Sequence, residues 1–177
     1  MNAAKISTAD SLNTTFYAVR ILYELTKFHQ ANHNENALFS VELERLKFVK
    51  QAGALQNSDQ LYFEGLERLA QSYQNKAFSS EAWYEMAVVH NQKASTYNFK
   101  GDTTHRWDNK IAMDICQKTI TKFKDSYGAK QCASLQNIIS QKVLNVRGEA
   151  AINTNKKSLF HLQYKNVDKL YYRVVPF

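Results

Sequence analysis

Only five glycines and one proline punctuate 177 residues, and that proline is the penultimate residue. Glycine and proline are the strongest local breakers of regular structure, so a chain this short of them favours long elements with brief connections. The spacing of apolar residues supplies the element type. Phe16, Val19, Leu22, Tyr23 and Leu25 recur at helical intervals and predict a first helix over about residues 11–31. "SVELERLKFVKQAGALQ" sets Leu43, Leu46, Val49 and Ala52 in register, with Ser40 as the expected cap. "DQLYFEGLERLAQSYQ" turns Leu61, Phe63, Leu66, Leu69 and Tyr73 inward. "SSEAWYEMAVVHNQKA", "DNKIAMDICQKTITKF" and "DSYGAKQCASLQNIISQKVL" complete a helical series.

Composition narrows the function classes. The chain is 44% hydrophobic and 12% aromatic, enough for a packed core and outside the disordered range. No apolar run approaches the roughly 20 residues of a membrane span. "MNAAKISTAD" lacks the apolar stretch of a secretory signal. Net charge is +7, yet the cations are scattered, as in "KFVK" and "KFKD". Without a continuous basic stripe or a recognition motif, that charge reads as a solvated surface and not as a nucleic-acid site. Cys116 and Cys132 fall within helical patterns among small or apolar neighbours, which predicts buried thiols. Their place on consecutive helices leaves a disulfide open in an oxidising compartment.

A search for chemistry returns little. His29 and His33 stand four apart in "HQANH", a spacing that puts two imidazoles on one helix face. The metalloprotease form requires Glu after the first His, and Gln30 is there instead. His90 occupies an inward-facing position and is expected to pack through a hydrogen bond. There is no phosphate-cradling glycine loop and no nucleophile elbow. The expectation is a protein that is not an enzyme, with no catalytic residue, cofactor or metal.

The helices also contain a repeat. Val49, Ala52, Gly53 and Gln56 precede Trp83, Met86, Ala87 and His90 by 34 residues. Small residues recur where paired helices would cross, at Gly53 and Ala87 on the first helix and at Gly65 and Ser72 on the second. A 34-residue period of helix pairs resembles the tetratricopeptide repeat. "SEAWYEMA" is similar to that repeat's first helix and "AMDICQKTI" to its second, with Ala112 and Thr119 as small positions and Cys116 packing between them. Lys124 stands where the motif usually has Pro. The match covers about residues 41–143. Gly65 and Ala112 are 47 residues apart, so 13 are inserted near "STYNFKGDTTHRW". An insertion on one face of a helical scaffold is a candidate binding loop, equally readable as extra helix and a longer turn. Its candidate partner-binding residues are Tyr97, Phe99, Lys100, His105, Arg106 and Trp107.

The ending breaks the helical pattern. In "SLFHLQY", Phe160, Leu162 and Tyr164 alternate with polar residues, and in "KLYYRVV" so do Leu170, Tyr172 and Val174. Such alternation predicts two strands joined through "KNVD", after a polar linker "NTNKKS". A lone two-stranded hairpin is marginal in water.

"LQYKNVDKLYYRVV" resembles the opening of the first macroglobulin-type β-sandwich in bacterial, Bacteroides-type alpha-2-macroglobulin family proteins, and "TTFYAVRILYELTKF" is similar to the first helix of the degenerate tetratricopeptide region that precedes it. The resemblance implies a mainly α fold: a tetratricopeptide-like helical-pair array over residues 1–150, then the start of a truncated β domain over 151–177. It implies a non-catalytic scaffold or protein-binding module of a cell-envelope protease inhibitor, periplasmic or envelope-bound, with signal or anchor outside this sequence. Its partners would be the rest of the parent chain, proteases or envelope proteins. The family's thioester stretch has no counterpart here, so none of its inhibitory chemistry carries over. The alternative is a free-standing tetratricopeptide-like adaptor that binds a peptide or protein.

Overall fold

A computed structural model describes residues 13–52, 56–149 and 157–173. The protein is mainly α, with helices α1 (Thr14–Ala31), α2 (Glu35–Ala52), α3 (Ser58–Ser72), α4 (Ser80–Ala94), α5 (Asp108–Lys122) and α6 (Tyr127–Ser140). Strands β1 (Val143–Gly148) and β2 (Phe160–Lys165) follow. The chain divides into two compact units, Met1–Leu135 and Gln136–Phe177.

In the first unit helices pack in chain order, α1 on α2, α2 on α3, α3 on α4 and α4 on α5. With so few glycines, tight turns fall to residues that tolerate a left-handed backbone: His33 (φ 52°) closes α1, and Asp125 (φ 64°) sits between α5 and α6. Asn13 caps α1 by accepting from the Phe16 N–H at 2.8 Å. Asn34 does the same for α2 at the Ala37 N–H. Ser40, expected to cap α2, instead lies inside it and donates to the Asn36 carbonyl, because the helix starts five residues earlier.

The core is built where α2, α3 and α4 meet. Phe39 and Leu66 are fully buried, with Leu43, Leu69 and Met86 around them. Phe39 lies edge-on to Tyr73 (5.7 Å) and against Phe78 (5.1 Å), which pins the short 3-10 turn Ala77–Ser79 to α2 and α3. Burying a ring this completely stabilises by roughly 3–5 kcal/mol relative to Ala. Trp83 is only partly buried at the edge of this cluster. The 34-residue register does not carry burial with it: Met86 is buried and Trp83 partly so, whereas their counterparts Ala52 and Val49 are exposed in the last turn of α2. Gly53 lies outside the described residues. Leu61 is likewise exposed and Tyr62 is buried in its place.

Polar groups tie the same three helices. Lys47 pairs with Glu85 at 3.0 Å, and Tyr62 donates to the other Glu85 oxygen at 3.1 Å. Burial, reinforced by the Glu85 charge, pushes the Tyr62 phenol well above its ordinary value, so it remains a donor. Cys116 and Cys132 are free, fully buried and hydrogen-bonded to one another. That bond and burial hold the Cys116 thiol well above its usual range.

In the second unit β1 pairs antiparallel with β2, from Val143 opposite Lys165 to Gly148 opposite Phe160. This corrects the expected tail. The partner of β2 is a strand that starts at Val143, in the last two residues of the expected final helix, and residues 167–173 form no strand. Tyr172 is solvent-exposed, and Val174 lies outside the described residues, as do 153–156 of the linker. The physical reason is pairing. Alternation marks a segment as strand-competent but does not choose its neighbour, and Val143 onward continues an apolar run that helical spacing also fits. The first strand therefore begins ahead of the expected boundary at residue 150.

Two close approaches generate a prediction. A Cβ on Gly128 would fall on the backbone carbonyl of Ser80, whereas one on Gly65 would meet only the Leu46 side chain at 2.5 Å. Gly128→Ala is expected to lower stability in urea denaturation by more than about 2 kcal/mol, since backbone cannot yield as a side chain does. Gly65→Ala stays within about 1 kcal/mol of wild type, because helix propensity offsets the shift of Leu46. Iodoacetamide is expected to label Cys116 and Cys132 only in denaturant.

Candidate functional site

The inserted segment is a loop of residues 95–107 between α4 and α5. Its shape comes from two side chains that fold back on the backbone. The Asn98 carboxamide oxygen accepts from the Lys100 N–H at 3.0 Å, and the Asp102 carboxylate accepts from the Thr104 N–H at 2.9 Å. The Asn98 N–H closes the turn on the Asp102 carbonyl at 2.9 Å. Such Asx turns replace the missing ladder of a helix or sheet.

The loop is anchored at its base by Asp108, the first residue of α5, which is 8% exposed. One carboxylate oxygen lies 2.5 Å from His90 Nδ1 and the other 2.8 Å from His105 Nδ1. Alongside, Asn91 donates to Asn109 at 2.8 Å, a second link between α4 and α5. His90 also stands edge-on to Phe63 at 5.4 Å, so the anchor reaches α3. Burial alone would raise the Asp108 carboxyl, but the His90 and His105 hydrogen bonds outweigh it and hold the pKa below its ordinary value. An acid in the first turn also meets the positive end of the α5 dipole.

Above the anchor the candidate residues divide. Phe99 and Trp107 are 73% and 61% exposed, and Tyr97 is exposed at the start of the loop. The Lys100 ammonium sits 5.5 Å from the Phe99 ring centre, and the Arg106 guanidinium 5.0 Å from that of Trp107. Each pair is made by neighbours in sequence. His105 turns inward to Asp108 and is part of the anchor, not of the exposed surface. Sequence reasoning missed Asp108. The available signal was an acid opening a helix three residues after a histidine, in "HRWD".

His29 lies in the last turn of α1, which ends at Ala31, and His33 stands beyond it in a left-handed turn. The two imidazoles therefore do not share a helix face. Among the described residues no three His, Cys, Asp or Glu side chains are grouped to hold a metal.

Asp108→Asn removes the charged acceptor of both histidines and is expected to lower stability by about 1.5–3 kcal/mol, with faster amide exchange over 95–107. The sign with pH follows from the lowered pKa. Wild type keeps the full contribution above the unfolded value of 3.8 and loses it as pH falls through the lower folded value. The stability difference between wild type and variant is thus expected to close in acid, as read by urea midpoints from pH 6 down to about pH 2.5.

No protein-family model, curated protein or solved structure matches the chain.

Proposed function

We propose that this protein is a non-catalytic, protein-binding scaffold of tetratricopeptide-like helix pairs, and that its hairpin opens a macroglobulin-type β-sandwich of a larger cell-envelope inhibitor of the alpha-2-macroglobulin type. One observation carries the reading. The register gives the hairpin a wholly apolar face of Leu144, Val146, Phe160, Leu162 and Tyr164 around Gly148, opposite a face carrying Asn145, Arg147, His161, Gln163 and Lys165. Every residue of both strands is exposed. A second sheet packed about 10 Å away is what such a face requires, and two strands alone do not supply it.

The hairpin is prepared for that role. The Phe160 ring lies across Gly148, where an added Cβ would come within 2.6 Å of it, so the glycine's open backbone is covered. Asn166, with φ 53°, donates to the carbonyls of Ile139 (2.7 Å) and Gln141 (3.1 Å) and ties the end of β2 to the end of α6. Leu170 and Val167 line a cavity of about 220 Å³ with Leu144, Leu162 and Tyr164, the first cover over the apolar face. In this reading the partners are the following sandwich and, through the 95–107 loop, proteases or envelope proteins. A free-standing adaptor is the second reading, favoured by the exposed Phe99–Lys100 and Trp107–Arg106 pairs.

The coding sequence beyond Phe177 separates the two. Continuation into repeated β-sandwiches supports the inhibitor scaffold, and an immediate stop codon overturns it in favour of the adaptor. On the protein, residues 1–177 are expected to bind the dye ANS several-fold more strongly than a form extended through the next sandwich. Equal dye binding by both forms means that the apolar face is not covered by that sandwich.

A further inference from the structure

Helix α1 is apolar on two sides, and among the described residues only one of them has a partner. Val19, Leu22, Tyr23 and Thr26 look across a cleft of about 360 Å³ to Phe48 and Val49 of α2. On the opposite side Tyr17, Ile21, Leu25 and Phe28 form a stripe with 39–61% of each side chain exposed. Their spacing of four, four and three residues keeps them on one line along the helix. Arg20 and Glu24 lie together on one margin of that stripe. Among the described residues neither holds an ion pair.

We propose that this stripe is a homodimer seam, in which α1 packs antiparallel against α1 of a second copy. The argument is self-complementarity, which a two-fold interface requires. A two-fold axis crossing the stripe near residues 22 and 23 sets Tyr17 opposite the second copy's Phe28 and Ile21 opposite its Leu25. The same axis keeps the charged margins on one side, so Arg20 meets the second copy's Glu24 and Glu24 its Arg20. Parallel packing would separate those margins and leave all four charges unpaired. The twelve residues ahead of the described chain do not match the stripe, since Met1, Ile6 and Leu12 are their only large apolar side chains. The stripe runs about 16 Å along the helix, short of the roughly 800 Å² per partner of a standard interface. Association is therefore weak, with Kd of about 10–100 μM.

Sedimentation equilibrium of the full chain between about 5 and 500 μM tests this. Wild type is expected to pass from monomer to dimer in that range. Ile21→Glu weakens association by about 30-fold or more, since a charge is placed in the seam. Arg20→Glu and Glu24→Arg each weaken it by about fivefold through like-charge contact across the axis, and the double variant R20E/E24R returns to within about twofold of wild type. All three substitutions are at exposed or margin positions, and unchanged helical circular dichroism confirms folding. If Ile21→Glu fails to fold, the charge-swap series still decides. A monomer at every concentration overturns the proposal, as does a dimer indifferent to these changes. Failure of the double variant to recover overturns it as well.

Discussion

Complete burial of Phe39 and Leu66 is the constraint on which the helical unit depends. Each helix is too short to be stable alone in water, and most of its stability comes from covering an apolar face. Phe39 from α2 fills the space between Tyr73 at the end of α3 and Phe78 in the turn before α4. One side chain thus fixes where three elements meet. Packing fades away from that point. No residue of α1 is buried, and its main packing is on α2.

Polar contacts follow the same geography. Glu85 accepts from Tyr62 and pairs with Lys47, so three helices share one carboxylate within the packed region. Asp108 plays the equivalent part for α4, α5 and the loop between them. A buried acid with each oxygen satisfied specifies a single arrangement, because any other leaves a charge unpaired in low dielectric. The loop can therefore display Phe99 and Trp107 to solvent without being loose at its base.

The hairpin inverts this logic. Its apolar side chains are ordered by strand pairing, and among the described residues Val167 and Leu170 begin to cover the face they form. Among the described residues neither outer edge is paired with a further strand, which leaves backbone groups as a template for more. The helical unit is complete in its centre and open at α1, and the β unit is open on a whole face.

Much of the helical architecture was legible from sequence. Scarce glycine and proline, with apolar residues three and four apart, dictate helices near their observed positions, because helix formation is governed by contacts within one segment. Cys116, Met86 and Leu69 were readable as core for the same reason. What sequence could not decide was any choice between segments. Leu61 and Tyr62 are both apolar enough to face inward, and only the position of α2 and its Glu85-linked lysine selects Tyr62. Asp108 is one acid among sixteen acidic residues until folding brings His90 to it from 18 positions away. The partner of β2 was misread because alternation is a local property, whereas pairing is set by which strand the chain can bring alongside. The sequence by itself determined which segments are helix- or strand-competent. Tertiary structure alone decided which faces meet, since burial and charge satisfaction depend on neighbours distant along the chain.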